Sequence, residues 1–180
     1  MAPPANPIRT DRLLLRLFEP GDVDAIYAME RRPDVMRYLY WEPRSREEAA
    51  ASLARRMGMI GFDSDAQALR LAVVRTDTDE LIGDFSLGLR HREFGQGELG
   101  FMFHPDHHGR GYATEAGRAV LRLGFESFGL HRNHGLLRRP QRCLGTADGP
   151  ARDASGGSLA RDRVRQGHVV RRVDLRGPCR

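Results

Sequence analysis

Residues 98–117 read Glu-Leu-Gly-Phe-Met-Phe-His-Pro-Asp-His-His-Gly-Arg-Gly-Tyr-Ala-Thr-Glu-Ala-Gly. The stretch begins as an apolar strand, turns at Gly109 and Gly111, and continues as the start of a helix. Such a turn directs unpaired backbone N–H groups and the positive end of the helix dipole at one point, where an anion such as pyrophosphate can bind. Glycine lets the backbone approach that anion closely. Glycine turns before helices are common, so the surroundings decide what this one means.

Strand patterns precede this stretch, and a helix and a further strand follow it. Apolar runs at residues 69–74 and 81–89, separated by turn residues 76–79, predict an antiparallel hairpin, and residues 97–103 predict a third strand. A long helix is predicted from about residue 112 to residue 128. Its inward-facing apolar positions are Ala113, Ala116, Val120, Leu123 and Phe125. Glycine at the end of this helix and the residues after it predict the start of another strand.

The N-terminal part contains the same two kinds of element. Residues 13–16 predict a first strand, and a turn at Pro20 introduces a helix over about residues 23–30. Ser45 and Glu48 predict a capping box for a second helix. The apolar residues of that helix recur at helical spacing: Ala49, Leu53 and Met57. Strands and helices in this order predict an α/β or α+β domain.

The length and composition of the chain limit the possible classes of protein. The 180 residues fit one domain with a sizeable core. The sequence contains no long apolar run and no N-terminal basic segment followed by an apolar one, so we expect a cytoplasmic protein without a membrane span. Cys143 and Cys179 do not form a close-spaced pair, which predicts neither a disulfide framework nor a zinc site.

The positive charge of the chain is concentrated in its last quarter. Residues 1–132 contain 18 arginines and 20 acidic residues, a net charge of −2, whereas residues 133–180 contain 11 arginines and 4 aspartates, a net charge of +7. Every basic residue is an arginine. Residues 133–180 contain nine Val or Leu and no Ile, Phe, Met, Tyr or Trp, a composition that cannot form a core of its own. Taken as written, this segment is predicted to be a disordered, Arg-rich tail.

Three segments resemble the GNAT superfamily of N-acetyltransferases, in the branch that includes the ribosomal-protein N-terminal acetyltransferases. Residues 9–16, Arg-Thr-Asp-Arg-Leu-Leu-Leu-Arg, resemble the first strand of that branch. Residues 98–101 resemble its central strand, and residues 109–116 its coenzyme A loop. The resemblance covers residues 7–132, so we assign the GNAT domain, in incomplete form, to residues 1–132. It implies a mixed, mainly antiparallel sheet flanked by helices.

The resemblance also implies where coenzyme A binds. Backbone groups of Phe101, Met102 and Phe103 are expected to contact the pantetheine arm. Amides in the loop are expected to hold the pyrophosphate: those of His108, Gly109, Arg110, Gly111, Tyr112, Ala113 and Thr114. Asp106 departs from the family pattern, which usually has a basic or amide residue three positions before the first glycine.

The reaction implied by the resemblance is transfer of an acetyl group from acetyl-CoA to a primary amine of a protein N-terminus or a small molecule. The amine must first lose a proton, and Glu98 is the candidate general base. The alternative for Glu98 is a solvated glutamate on an edge strand. A backbone N–H of the strand at residues 101–103 would meet the developing oxyanion. Tyr40 and Trp41 lie where the family binds its acceptor, although both could be core aromatics.

The sequence allows three other interpretations. His104, His107 and His108 could suggest a metal site, but Pro105 and the first glycine prevent the helix on which their spacing would converge, so no metal is expected. A basic tail on a small domain could form a noncatalytic module that binds nucleic acid or protein, yet the acidic first 132 residues and the absence of interleaved aromatic residues disfavour nucleic acid. A dinucleotide-binding enzyme fails because the turn follows an antiparallel strand and lacks a third glycine.

The tail also lacks the C-terminal helix and the last two strands that the resemblance implies. Codons read one nucleotide later, with free choice of the wobble bases, permit a sequence like the missing helix from residue 140 and one like the missing strands from residue 161. We therefore hypothesise that residues from about 133 are out of frame, through a sequencing error or a mutation. The chain as written is then expected to be poorly stable and weakly active.

Overall fold

The computed structural model describes residues 7–36, 39, 41–62, 68–91, 93–138, 163–165 and 168–176, the last three strands by their backbone alone. The described strands are β1 (Ile8–Arg9), β2 (Leu13–Arg16), β3 (Ile60–Gly61), β4 (Ala68–Arg75), β5 (Leu81–His91), β6 (Gln96–Phe103), β7 (Arg132–Arg138), β8 (Arg163–Arg165) and β9 (His168–Arg176). The described helices are α1 (Val23–Glu30), α2 (Pro33–Met36), α3 (Arg46–Met57) and α4 (Tyr112–Glu126). Within these residues, no helix combines the length and the apolar character needed to cross a membrane.

The strands form one sheet in the order β1-β2-β4-β5-β6-β7-β9-β8, with β3 paired to β4. All neighbours are antiparallel except β6 and β7, which run parallel. The connection between these two parallel strands contains α4, as a parallel crossover requires. This architecture confirms the predicted mixed, mainly antiparallel sheet flanked by helices.

Local sequence signals set the bounds of the helices. The predicted capping box of α3 is present: the Glu48 N–H donates to Ser45 Oγ (3.2 Å), and the Ser45 N–H donates to Glu48 Oε2 (2.8 Å). A 3-10 turn at Pro20–Asp22 leads into α1, and Arg16 fixes it through two 2.8 Å bonds to the Asp22 carboxylate. The short helix α2 was not predicted, because four residues are too few to show a helical period.

The sheet has a hydrophobic core on each face. Side chains alternate along a strand, so neighbouring positions of β6 point to opposite faces. One core lies between the sheet and α4 and contains Leu13, Leu15, Leu71, Val73, Phe85, Leu99, Phe103, Tyr112, Ala116 and Val120 among its buried residues. The other lies between the sheet and α1, α2 and α3 and contains Phe18, Ile26, Met29, Val35, Ala49, Leu53, Ala72, Val74 and Met102. The end of β6 is therefore held between two packed layers.

A buried ionic cluster joins the second layer of helices to the sheet. Arg56 of α3 donates to Glu30 of α1 (2.7 Å) and to Asp84 of β5 (2.8 Å). Arg44 contacts the Glu30 carboxylate at 3.2 Å, and Arg70 contacts Asp84 at 2.7 Å. Burial alone would lower the pKa of Arg56, but the two carboxylates outweigh it and raise the pKa above its ordinary value. The cluster is thus a set of charges that depend on one another inside the fold.

The structure differs from the expectation that the tail contains no strands. β7 continues to Arg138, and β9 pairs with it over seven positions, from Arg132↔Arg176 to Arg138↔Val170. β8 pairs with the start of β9. β-branched residues fit a pleated strand, and valine is frequent in these two strands. The expected absence of the last two strands was therefore wrong. The segment at residues 139–162, where a helix was expected to be missing, lies outside the described residues.

Candidate active site

A cleft with a volume of about 740 Å³ opens beside the C-terminal end of β6 and the start of α4. That volume is in the range of small-molecule sites. Its wall consists of Asp34, Val35, Leu39, Trp41, Glu98, Leu99, Gly100, Phe101, Met102, Phe103, Pro105, His107, His108, Gly109, Gly111, Tyr112 and Ala113. Most of the residues predicted for the site therefore lie in one cavity. Arg110 in the glycine turn and Thr114 in the first turn of α4 are exposed and do not contribute to the cavity wall.

The cleft exists because β6 and β7 separate. Their parallel pairing runs from Gln96↔Arg132 to Leu99↔Gly135 and stops there, while β7 continues beside β9. In the described residues, the second half of β6 has a strand partner only on its β5 side. A parallel pair that opens in this way leaves backbone N–H and C=O groups available to a ligand.

The hydrogen-bond pattern shows which backbone groups face the gap. The His104 N–H donates to the Ile82 carbonyl (2.9 Å), and Phe103 lies opposite Gly83 in the ladder. Because antiparallel pairs alternate, the backbone groups of Phe101 and Phe103 point away from β5, toward the gap. Those of Met102 point into the ladder opposite Asp84, so Met102 contributes its buried side chain to the cleft instead.

The glycine turn places helix N–H groups beside this open edge. Gly109 and Gly111 have φ angles of +72° and +80°, values that side chains rarely adopt. Gly111 is the N-cap of α4, and the Glu115 N–H makes a bond to its carbonyl. The N–H groups of the first helical turn, which precede that bond, have no acceptor within the helix. The His108 amide differs from the prediction, because it already donates to the Pro105 carbonyl (3.0 Å).

Arg12, in the turn between β1 and β2, contacts both this glycine turn and the start of α4. Its guanidinium donates to Glu115 Oε2 through Nε (2.8 Å) and contacts the same oxygen through Nη2 (2.6 Å). Its Nη1 donates to the Arg110 carbonyl (3.1 Å), and the guanidinium lies 4.6 Å from the centre of the Tyr112 ring. The Thr10 hydroxyl donates to Glu115 Oε1 at 2.6 Å. The turn is therefore fixed to the edge of the sheet.

Glu98 lies in the cleft wall, on the sheet face covered by α1, α2 and α3. Its side chain is 26% exposed and forms an ion pair with Arg90 of β5, which is 54% exposed. Glu98 is thus partly buried and paired with Arg90. A carboxylate in this position can accept a proton from a group that enters the cleft, directly or through water.

Trp41 also lies in the cleft wall. The residue is 47% exposed, and the Arg44 guanidinium lies 4.4 Å from the centre of its ring. Arg44 also contacts buried Glu30, which links the cleft wall to the ionic cluster. Trp41 is therefore not a core residue. Tyr40, its predicted companion, lies outside the described residues.

The three histidines of the loop have separate partners. His107 is buried with Nε2 3.2 Å from Glu80 Oε1, whereas His108 Nε2 donates to the Phe103 carbonyl (3.1 Å). The Nδ1 of His104 accepts from the Asp106 N–H. Partial burial lowers the pKa of His104, against the opposing effect of Asp106. Within the described part of the chain, no group of three or more His, Cys, Asp or Glu residues could hold a metal ion.

Sequence reasoning missed two side chains that organise this site. Arg12 stands in the segment that resembles the first GNAT strand, but nothing in the sequence shows that it reaches Glu115. Arg90 is near Glu98 in the β5–β6 hairpin, and counting cross-strand neighbours could have suggested the pair. A register shift between Leu89 and His91 makes such counting unreliable.

Comparisons with known proteins agree with the geometry. The sequence model of the acetyltransferase (GNAT) domain matches residues 12–137. The uncharacterized N-acetyltransferase YnaD of Bacillus subtilis is 34% identical over 127 residues, 69% of each chain. The uncharacterized N-acetyltransferase p20 of Bacillus licheniformis is 29% identical over 123 residues, 68% of each chain.

Solved structures show the same fold. A GNAT family acetyltransferase from Bacillus anthracis has a TM-score of 0.72 at 22% identity, covering 94% of this chain and 98% of that one. A spermidine N-acetyltransferase from Vibrio cholerae, in complex with CoA and spermine, has a TM-score of 0.66 at 19% identity, covering 93% and 96%. On the family match and the YnaD identity, this chain belongs to the GNAT acetyltransferase family and is an acetyl-transferring enzyme.

Proposed function

We propose that this protein transfers an acetyl group from acetyl-CoA to a primary amine, carried by a protein N-terminus or by a small molecule. The observation that carries the proposal is the cleft of about 740 Å³ beside β6 and α4. Its wall combines a carboxylate, an open strand edge and the N-terminal end of a helix. These are the three features that the transfer needs: a proton acceptor, a backbone surface for an extended arm, and an anion site.

The residues present fit the coenzyme. Apart from its two chain neighbours, no described residue comes within 4 Å of a Cβ built at Gly109, so the turn has open space on that side for a phosphate. The amides of Gly109, Arg110, Gly111, Tyr112, Ala113 and Thr114 are the proposed pyrophosphate donors. The backbone groups of Phe101 and the N–H of Phe103 face the gap and would bind the pantetheine arm, whereas the Phe103 carbonyl already accepts from His108 Nε2. When bound there, acetyl-CoA supplies an activated thioester.

Glu98 would accept the proton that the attacking amine loses. A backbone N–H on the open edge, such as that of Phe101 or Phe103, would stabilise the negative charge that develops on the carbonyl oxygen. The ion pair with Arg90 does not oppose this role, because pairs exposed to solvent contribute only about 0–1 kcal/mol. A bound amine can therefore compete with Arg90 for the carboxylate.

The acceptor would enter beside Trp41, which lines the same cleft as the coenzyme loop. The exposed indole ring and the apolar side chains of Val35, Leu39 and Met102 provide a surface for the carbon skeleton of an amine. The structural relative from Vibrio cholerae holds CoA and a polyamine, which supports an amine as the acceptor class. The cytoplasmic location of the protein stays a prediction from the sequence.

Thiol release from acetyl-CoA tests this function directly. The full chain is incubated with acetyl-CoA and one amine at a time. The amines are a polyamine, an aminoglycoside, an amino acid and peptides with free N-termini. We expect amine-dependent release of CoA thiol. We also expect Glu98→Gln to lower kcat by about 100-fold or more, since a positioned base contributes about 10²–10⁴.

Glu93→Gln is the matched control, because Glu93 is exposed in the turn before β6 and does not line the cleft. The control should keep the wild-type rate. Equal rates for Glu98→Gln and Glu93→Gln would contradict the role of Glu98. Absence of amine-dependent thiol release from a chain that binds acetyl-CoA would contradict the proposed acceptor class.

A further inference from the structure

We propose that Arg12 is a positioning residue for the coenzyme, which orients the amide of Gly111 toward the pyrophosphate. The proposal rests on the proposed function, because it requires a pyrophosphate at the start of α4. Arg12 does not line the cleft and would not contact the reacting atoms. It acts through the loop that it holds.

The contacts of Arg12 fix three points of the loop. Its Nη1 binds the Arg110 carbonyl at 3.1 Å, and its Nε and Nη2 bind the Glu115 carboxylate at 2.8 and 2.6 Å. Its guanidinium stacks over Tyr112 at 4.6 Å. The backbone N–H of Arg12 also donates to Glu115 Oε1 (3.0 Å). One side chain therefore connects the β1–β2 turn to the last residue before Gly111 and to the first turn of α4.

The Arg110 carbonyl and the Gly111 N–H belong to the same planar peptide group, so the contact of Arg12 with the carbonyl also sets the direction of the N–H. In a trans peptide, the carbonyl of one residue and the N–H of the next point in opposite directions. The Arg110 carbonyl points toward the Arg12 guanidinium. The Gly111 N–H must therefore point away from Arg12, and Gly111 itself is part of the cleft wall. Arg12 thus selects the peptide orientation in which this N–H is available to an anion.

The loop needs such a restraint because its glycines do not provide one. Gly109 and Gly111 can adopt positive or negative φ angles with little cost, so the peptides near them can rotate. A Cβ built at Gly111 would lie 3.6 Å from Arg12 Nη2, which shows how closely the guanidinium approaches this peptide. Arginine suits the position better than lysine, because its planar fork can bind two acceptors and stack on a ring at the same time.

Two acetyl donors, one with a pyrophosphate and one without, distinguish a role of Arg12 in coenzyme positioning from a role in the stability of the fold. CoA binding is measured by calorimetry, and turnover is measured with acetyl-CoA and with S-acetylpantetheine, which lacks the pyrophosphate. For Arg12→Gln we expect a rise in the Kd for CoA of about tenfold, the effect of losing a hydrogen bond to a charged group. We expect kcat/KM with S-acetylpantetheine to stay within about twofold, because that donor does not use the Gly111 amide.

Three further variants sharpen the test. Arg9→Gln removes an exposed arginine from β1 and should behave as wild type. Arg12→Lys keeps the charge but loses the fork, and we expect weaker CoA binding than wild type. Glu115→Gln leaves Arg12 free to bind the Arg110 carbonyl, so its effect on CoA binding should be smaller than that of Arg12→Gln. If Arg12→Gln does not fold, Arg12→Lys takes its place with the same expected selectivity for CoA.

The outcomes distinguish this proposal from the proposed function. A wild-type chain that does not bind CoA would overturn both. A wild-type chain that binds CoA, with equal affinity in Arg12→Gln, would overturn the role of Arg12 alone. Equal losses of turnover with acetyl-CoA and with S-acetylpantetheine would show a purely structural role and would also overturn it. A loss confined to CoA and acetyl-CoA supports it.

Discussion

The carboxylate of Glu115 joins α4 to the turn between β1 and β2 through its hydrogen bonds. Burial opposes its ionisation, but the bonds from Thr10 and Arg12 outweigh burial and hold the pKa of Glu115 below its ordinary value of 4.5. A group whose pKa is lower in the folded state stabilises the fold above its unfolded pKa, and this contribution is lost as the pH falls through the folded pKa. The contribution of Glu115 is therefore complete at neutral pH and disappears in acid.

The comparison of wild type with Glu115→Gln tests this pH dependence. We expect wild type to have the higher Tm at pH 7, and the difference to shrink as the pH falls below about 4.5. Thermal unfolding followed by circular dichroism between pH 7 and pH 3.5 measures it. A difference that stays constant across this range would contradict the charged contacts of Glu115.

At the same scale, the sequence identified some site residues and not others. Glu98 and the glycines of the turn stand in a contiguous motif, so local sequence was sufficient to propose them. The contact between Arg12 and Glu115 joins residues more than 100 positions apart and depends on the packing of α4 against the sheet. Whether the amide of His108 is available also depends on a turn whose bonds the sequence does not show.

Among the elements, the turn before α4 depends most on glycine. A side chain at Gly109 would meet no neighbour within 4 Å, but it would have to adopt a φ of +72°. We therefore expect Gly109→Ala to lower the free energy of unfolding by about 1 kcal/mol, the cost of the left-handed conformation, and to weaken CoA binding. Urea unfolding and calorimetry measure the two effects.

Gly21→Ala is the control for this substitution. Gly21 also has open space for a Cβ, and its φ is not positive. Its substitution should change stability by less than about 0.5 kcal/mol. If Gly109→Ala and Gly21→Ala are equally stable and bind CoA equally, the conformation assigned to the turn is wrong.

The elements themselves were largely predictable where a local signal was strong. The Ser45–Glu48 capping box placed the start of α3, the turn at Pro20 placed α1, and the glycine turn and the apolar stripe placed α4 to within two residues. The last two strands, β8 and β9, were missed, because these short segments mix valine with arginine and contain too few apolar residues to indicate a buried face. Their pairing with β7 supplies what local sequence does not.

For the whole molecule, the buried ionic cluster connects α1 and α3 to the sheet. Arg56 is 4% exposed and lies between the carboxylates of Glu30 and Asp84. Arg56→Met would remove one of the two arginines that contact each carboxylate and would leave the buried negative charge undercompensated. We expect it to lower the free energy of unfolding by about 3–5 kcal/mol, measured by urea unfolding.

The neighbouring residue provides the control for this prediction. Arg55 is exposed on the same helix, so Arg55→Met should change stability by less than about 0.5 kcal/mol. Similar stabilities for the two variants would contradict the buried cluster.

The stability and activity of the whole chain depend on whether residues from about 133 are the intended product of the gene. The hypothesis that residues from about 133 are out of frame stays a prediction, and the coding DNA tests it. Stop codons or unrelated residues in the shifted frame would end the hypothesis. If it holds, the restored chain should gain the missing helix and be more stable than the present one.

Calorimetric titration with acetyl-CoA is the measurement that tests the central claim most directly. It is made on the present chain and on the chain with the shifted frame restored. We predict one binding site in the restored chain and weaker binding to the same site in the present chain. Equal binding by both chains would show that the tail is tolerated. Binding by neither would contradict the assignment of the cleft to coenzyme A.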